Sequence, residues 1–527
     1  KFTILAPNTH EMKRGIENVE KNINDWLIKV SYGETTIGLS FLEATANDFV
    51  LGNFIELWER MGKMMEKKKW MRVNLDLYGG EVRGYLDSFV NELTHPLCPI
   101  CGKRPSSPMV EGTSYVGETW SACKLCRDHI FLGTNLVKKN RLAVTAMEAD
   151  IRGEENKLSE PIFGEYQLAF LEGGLKEMVL KGQLFKYWDL SINPEGEVAR
   201  DITIKFISGY VPVYTAEDEQ DDRILAGAKS EAKKLELIDQ INPGDPKTFG
   251  HIACMARNPT KEGKLRGVEA LGVLKADVDH LGLLMACGLK PERFTLSRIA
   301  TLSRQLHYYF AVYLPHILMT QPSFRDIYTV FAGGDDLFLI GPWNRVIDLV
   351  NLLQMTFSEY VCHNQNIHFS AGISLHKPQT PLDTMAEAAE SVLEKSKHDG
   401  RNRLTLFSET ATWDQVEELS QVKQTLLQWI DKGLINQAML YRLNILIEMA
   451  GEEKRVVHDE EIFIDDMSCT KWRSILAYTT ERNVAKSVKG EARKAAINEV
   501  AATLAGWLTE YGRRLRIPLW DILYNRR

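Results

Sequence analysis

Two short runs of strand-forming apolar residues, Ile327 to Phe331 and Leu337 to Gly341, flank the tetrapeptide Gly333-Gly334-Asp335-Asp336. A glycine-led turn between two such runs predicts a β-hairpin with carboxylates at its tip. The pattern around it is regular. Leu271 to Asp277 reads as a buried strand, followed by helical segments to about Leu318. Arg345 to Val361 predicts a helix, Ile367 to Leu375 a strand, and Asp383 to Lys397 a helix with Met385, Ala389, Val392 and Ser396 along one face. The resulting βαββαβ order is ferredoxin-like, the topology of polymerase and cyclase palms.

The N-terminal pattern is similar but shorter. It predicts a strand at Phe2 to Leu5, an amphipathic helix at Glu11 to Val30, a strand at Thr36 to Leu42 and a helix at Phe49 to Lys68. These elements read as the second half of another palm. Ile202 to Ile207 is strand-like, and an acidic, Gly/Pro-punctuated connection runs from Glu217 to Gly263. Beyond Ser408 the pattern is almost wholly helical. The predicted class is α+β, with two ferredoxin-like palms, the first truncated, a zinc ribbon and a C-terminal helical bundle. The segments are 1–92 (partial first palm), 93–140 (zinc ribbon), 141–265 (mixed connection), 266–408 (second palm) and 409–527 (helical domain).

Lys and Arg number 64 against 71 Asp and Glu, a net charge of −7, so the chain is no polycation holding nucleic acid by bulk electrostatics. Any such contact is local. Basic clusters occur at Lys63, Lys67, Lys68, Lys69 and Arg72, and at Lys124, Arg127, Lys138, Lys139 and Arg141. Arg482, Lys486, Lys489 and Arg493 are spaced to line one helix face, either as a contact surface or as a solvated one. No apolar run is long enough to span a membrane and no signal peptide is evident, which predicts a cytoplasmic protein. The chain starts at Lys1, consistent with a preceding region that is not part of it.

Cys98-Pro-Ile-Cys101 and Cys123-Lys-Leu-Cys126 are paired CxxC knuckles, the spacing of a closed, structural Cys₄ zinc site. Two disulfides are the competing reading and suit a reducing compartment poorly. Cys254, Cys287, Cys362 and Cys469 read as core packing. At the hairpin, Asp335 and Asp336 offer hard oxygens suited to Mg²⁺ or Mn²⁺, and Gly333 and Gly334 can take positive φ and admit phosphates close to the backbone. Taken alone the tetrapeptide is equally an acidic surface turn. Asp277 ends the first palm strand, which the topology sets beside the hairpin strand ending at Gly333. Asp277, the carbonyl of Val278, Asp335 and Asp336 then form a candidate two-metal site. Asp279 is the weaker candidate and reads as a helix cap. Lys397 ends its helix either as a ligand for a triphosphate or as a cation answering the helix dipole. His280 and His398 receive no role.

Taken together, Leu274-Lys275-Ala276-Asp277-Val278-Asp279-His280-Leu281-Gly282, Ser297-Arg298, Leu302-Ser303-Arg304, Gly333-Gly334-Asp335-Asp336 and the Cys₄ knuckles resemble the large palm-containing subunit of type III CRISPR effector complexes, most closely subtype III-A. The resemblance implies an RNA-guided complex, with other effector subunits, CRISPR RNA and target RNA as partners. In that family target binding switches on the second palm, which joins ATP into cyclic oligoadenylates. Asp335 and Asp336 would be its metal-binding pair, and the first palm a brace without catalytic acids. Many members carry an N-terminal histidine-aspartate nuclease, of which this sequence shows no sign, so DNase activity is not assigned. Phe331-Ala332 stands where Tyr-Ser or Tyr-Ala is commoner. A diguanylate cyclase and a catalytically silent nucleotide-binding scaffold are the rival readings; Asp336-Leu337 and the paired cysteines speak against the first, the intact acids against the second.

Overall fold

A computed structural model describes residues 2–71, 80, 96–107, 114–115, 118–119, 122–149, 151, 157–171, 175–191, 202–207, 209–225, 241–260, 263–457 and 466–527. Two compact units emerge, Lys1–Ser208 with His280–Leu306, and Gly209–Asp279 with His307–Arg527.

In the first unit, helix α1 (His10–Ser31) starts where the Thr9 hydroxyl accepts the Met12 N–H, satisfying one of the donors a first turn leaves open. Buried Asn24 donates to the Ile37 carbonyl and accepts the Ile37 N–H, each at 2.9 Å. A side chain therefore ties down the returning segment. The strands expected at Phe2–Leu5 and Thr36–Leu42 are not formed: neither stretch has a ladder partner among the described residues. Helix α2 (Phe54–Trp70) follows a short 3₁₀ turn at Ala46–Phe49 and packs Phe54 and Leu57 against Phe294 and Ile299. Helix α3 (Lys124–Lys138) begins inside the second cysteine knuckle. Strands β1 (Arg141–Ala146), β2 (Tyr166–Ala169) and β3 (Leu184–Asp189) form an antiparallel sheet in the order β2-β1-β3. Among the described residues the run Ile202–Ile207 contributes one bridge, Ile204 to Asp189. Helices α4 (Leu281–Cys287) and α5 (Leu296–Tyr308) lie within the predicted second palm segment, yet His280–Leu306 clusters with this unit. Arg72, from the first basic cluster, and the start of the ribbon segment at 93–95 lie outside the described residues.

The second unit is built on a six-stranded sheet. Its strands are β4 (Leu271–Val278), β5 (Tyr328–Gly333), β6 (Asp336–Pro342), β7 (Phe369–His376), β8 (Arg403–Leu406) and β9 (Glu409–Thr412), in the order β9-β8-β7-β4-β6-β5. The first four in sequence reproduce the predicted βαββαβ arrangement, all antiparallel. β8 joins β7 in parallel through a helical crossover, which carries the sheet to Thr412, past the expected boundary at 408. Helix α6 (Trp343–Tyr360) covers one face, where Gly272 leaves room for the Trp343 backbone. Helix α7 (Leu382–His398) covers the other, packing Met385 and Ala389 on Leu271, Val273 and Ile340.

Helices α8 (Trp413–Asp431), α9 (Gln437–Val456), α10 (Trp472–Asn483), α11 (Glu491–Tyr511) and α12 (Arg516–Arg526) follow. The basic stripe expected on one helix face is broken, because α10 stops at Asn483 and α11 starts only at Glu491. Arg493 turns to Glu481 and Arg482 to the Tyr478 ring. Cys254 and Cys469 are buried as expected, whereas Cys287 and Cys362 are exposed.

How closely α7 approaches the sheet depends on Gly372. A Cβ there would stand 2.5 Å from the Leu393 nitrogen and 2.7 Å from the Val392 carbonyl carbon, both rigid backbone. Gly372→Ala is therefore expected to lower stability by about 1–3 kcal/mol, as overpacking does, measured by urea unfolding. An unchanged midpoint would show that α7 shifts freely.

Candidate active site

β5 and β6 are joined by only two residues, Gly334 and Asp335, since Gly333 pairs directly with Asp336. Gly334 has φ +71°, which a II′-type hairpin turn requires at its first central position. The expectation of positive φ thus holds for Gly334 and not for Gly333. Both ends of the turn are held from outside the hairpin. The Val278 N–H donates to the Asp335 carbonyl at 3.0 Å, and the Gly334 N–H donates to His307 Nδ1 at 3.3 Å. A Cβ on Gly334 would meet nothing within 4 Å, so the tip is open to a ligand's phosphates.

The strand beside β4 is β6, not the strand ending at Gly333, and this corrects the sequence reading in a useful direction. The register sets Asp336 opposite Asp277 and Phe338 opposite Lys275. Directly opposed antiparallel residues share a face, with Cα atoms about 4.5–5.5 Å apart. Two carboxylates are thereby forced together on the face covered by α7, with Asp335 adjacent in the turn. Burial pushes the Asp277 carboxyl above its ordinary value, Lys397 opposes this, and Asp335 and Asp336 add to it. Asp336 is likewise raised, first by burial and then by Asp335 and Glu390, against the pull of the Leu337 N–H and Lys275.

The last turn of α7 brings Lys397 to this pair: its Nζ lies 2.9 Å from Asp277 and 3.0 Å from Glu394. Burial would discharge the ammonium, but the contacts with Asp277 and Glu394 outweigh it and raise its affinity for the proton. One step down the sheet Lys275 pairs with Glu390 at 2.6 Å and lies over the Phe338 ring. Asp279 does not cap α4, whose N-cap is His280. Its buried carboxylate accepts from Ser370 Oγ at 2.8 Å, from His368 Nδ1 at 2.7 Å and from the Asn402 N–H at 2.9 Å. It is an anchor between β4, β7 and the turn after α7. That turn is the one that follows Lys397. Sequence reasoning missed this role, as it missed His307, because neither partner is local in the chain.

Asp277, Asp335 and Asp336, answered by Lys397 and by Lys275, offer the hard oxygens a divalent cation takes, and its charge would offset burial and mutual repulsion; among the described residues only the knuckle cysteines bring three or more ligand atoms within 4.8 Å of one another, so the acids are a candidate donor set and not a formed cluster. The sign for stability follows. A carboxyl raised in the folded state contributes stability below its unfolded value of 3.8 and loses it as pH rises through the higher folded value. At pH 7 each acid is thus a cost to the metal-free chain. Asp336→Asn is expected to melt above wild type at pH 7 without divalent ions, the gap closing as pH falls into the titration range of Asp336. Thermal melts across pH check this, and a lower-melting variant at pH 7 would refute it.

The four knuckle cysteines, in the first unit, bring their Sγ atoms within 4.8 Å of one another, with Cys101 and Cys123 at 4.0 Å. All are free thiols, and the disulfide alternative does not apply. Zinc at a Zn–S distance of about 2.3 Å separates tetrahedral sulfurs by about 3.8 Å, so the cluster fits. Gly102, at φ +63°, closes the first knuckle by donating to the Cys98 carbonyl. Burial pushes the Cys123 and Cys126 thiols up, while backbone N–H groups of Lys103 and Arg104 overcome burial and bring Cys101 to about 7. Lys103 and Arg104 also pair with Glu34 beyond the end of α1. One zinc per chain is expected by elemental analysis. Its loss in a Cys98→Ser/Cys101→Ser variant should unfold this module, to which structural zinc contributes on the order of 10 kcal/mol; a zinc-free, fully folded native protein would contradict the assignment.

Residues 270–405 match the family of Cas10/Cmr2 second palm domains, and residues 1–77 match Csm1 subunit domain B. A Cas10/Csm1 single-strand-specific deoxyribonuclease of subtype III-A from Thermococcus onnurineus is 24% identical, over 92% of this chain and 57% of its own length. The corresponding protein of Enterococcus italicus is 23% identical over 86% of this chain and 52% of its own length. The chain thus spans little more than half the length of these relatives. Among solved structures, an apo Csm1–Csm4 cassette superposes with a TM-score of 0.62 at 19% identity, covering 99% of this chain and 61% of the other. A Csm1–Csm4 cassette in complex with cA4 gives 0.60 at 18%, with coverage of 99% and 61%. Among the described residues no helix is long and apolar enough to cross a membrane.

Proposed function

The chain belongs to the Cas10/Csm1 family of subtype III-A, and on that premise we propose that its second palm synthesises cyclic oligoadenylate from ATP. The observation that carries this is the Asp277–Asp336 register pair beside the Gly334-Asp335 turn, open at Gly334. Structural neighbours hold one ATP in one case and cA4 in another, which supports the substrate and product class.

In this reading Asp277, Asp335 and Asp336, with the Val278 carbonyl, hold Mg²⁺ or Mn²⁺. The cation supplies positive charge for the attacking hydroxyl and the leaving pyrophosphate. The chain itself does the positioning. Gly334 lets phosphates approach the backbone, and Lys397, close to Asp277, offers its ammonium to a triphosphate. The 3′-oxygen of one ATP bonds to the α-phosphorus of the other, its proton leaves, and the bond to pyrophosphate breaks. We assign the chain to an effector complex with a Csm4-type neighbour, other subunits, CRISPR RNA and target RNA, in which the cysteine cluster carries structural zinc. Target RNA is the activating partner.

The assembled complex incubated with ATP and Mn²⁺ or Mg²⁺, with and without matching target RNA, is expected to yield cyclic oligoadenylates by mass spectrometry only with target. The Asp335→Ala/Asp336→Ala variant should lose more than the ~10–100-fold that removal of an outer-shell partner costs. No product from a target-bound complex would leave a silent nucleotide-binding scaffold. A cyclic dinucleotide made from GTP would point to the cyclase reading.

A further inference from the structure

We propose that His307 is a positioning residue for the Gly334-Asp335 turn, a role resting on the nucleotidyl-transfer reading above. In the two-residue turn, the ladder pairs Gly333 with Asp336, and the Gly334 N–H lies outside that pairing. The peptide between Gly333 and Gly334 is the least constrained link at the tip, because neither flanking residue has a Cβ. His307 holds it. The Gly334 N–H can only donate, so Nδ1, at 3.3 Å, must be the acceptor, which for a neutral ring leaves the proton on Nε2. The same ring lies against Gly333, where a Cβ would stand 3.6 Å from His307 Cε1 and 3.7 Å from Nδ1.

The helix end bearing His307 is itself fixed. Two residues on, buried Tyr309 donates its hydroxyl to the Leu353 carbonyl at 3.0 Å and bonds Thr356 Oγ1 at 2.7 Å, both on α6. A π-helical stretch, Tyr309–Tyr313, begins immediately after Tyr308, a local change of helical register of the kind that recurs at functional sites. From the other side the Val278 N–H holds the Asp335 carbonyl. Each peptide flanking the Gly334-Asp335 tip thus receives one bond from outside the hairpin, and losing the His307 bond loosens the Gly333-Gly334 peptide and with it the direction of the Asp335 carboxylate. The bond His307 makes here is to the backbone, so the role assigned to it acts through the backbone.

The test compares wild type with His307→Leu, His307→Asn and His307→Gln. Asparagine can place an amide oxygen near the Nδ1 position; leucine has no acceptor, and glutamine's lies further out. In the full complex, His307→Leu is expected to lower kcat by ~10–100-fold, the usual cost of an orienting partner, with little change in KM for ATP and an unchanged melting temperature. Mn²⁺ titration followed by electron paramagnetic resonance should show weaker binding in His307→Leu and His307→Gln and near-wild-type binding in His307→Asn. Wild-type turnover and Mn²⁺ affinity in folded His307→Leu would overturn the proposal, as would His307→Asn behaving like His307→Leu. Wild-type protein that binds Mn²⁺ but makes no oligoadenylate would sink the synthase reading instead, with the Mn²⁺ series still deciding the role of His307.

Discussion

The register between β4 and β6 is the constraint on which the rest of the site depends. Side chains alternate faces along a strand, so a slip of one residue would carry Asp336 to the opposite side of the sheet from Asp277. The Val278 N–H bond to the Asp335 carbonyl ties the end of β4 to the turn, while the two-residue connection and the glycine at φ +71° set β6 against β5. The same alternation hands residues 272, 274 and 276 to α6 and leaves Leu271, Val273, Lys275 and Asp277 facing α7. Apolar positions at the buried end of β4 thus give way, along one face, to a lysine and then to the paired acids.

Forcing two carboxylates together has a cost, and the surrounding structure answers it in part. Lys397 neutralises one acid, and its place depends on how closely α7 lies on β7, where Gly372 removes the side chain that would lift the helix away. Asp279 secures the turn beyond Lys397 by binding the Asn402 N–H together with His368 and Ser370. Burial first, and the remaining repulsion after it, raise the proton affinity of Asp277 and Asp336. On the proposed function, a cation would make up this shortfall of positive charge, which otherwise stands at the expense of metal-free stability.

Much of this was legible from local pattern. The hairpin, the palm's strand and helix order and the cysteine knuckles each rest on residues close in sequence, where turn chemistry and ligand spacing speak directly. What failed depended on distant partners. Phe2–Leu5 and Thr36–Leu42 have strand-like composition, but a strand exists only beside another, and Asn24 takes the place of a ladder at Ile37. The stripe from Arg482 to Arg493 assumed a continuous helix through a segment with no helical turn between Asn483 and Glu491. Asp279 looked like a cap because its partners lie about ninety residues or more onward, at His368, Ser370 and Asn402. His307 carries no sequence signal at all, since its partner is a backbone N–H 27 residues away.

The central claim is that the β4–β6 register builds one cation site from Asp277, Asp335 and Asp336. Anomalous diffraction at the manganese edge, from crystals of the complex grown with Mn²⁺ and a non-hydrolysable ATP analogue, tests it most directly. The account predicts manganese peaks at these three carboxylates, with analogue phosphates over the Gly334 turn. Peaks confined to other acids, with the triphosphate bound away from the turn, would contradict it.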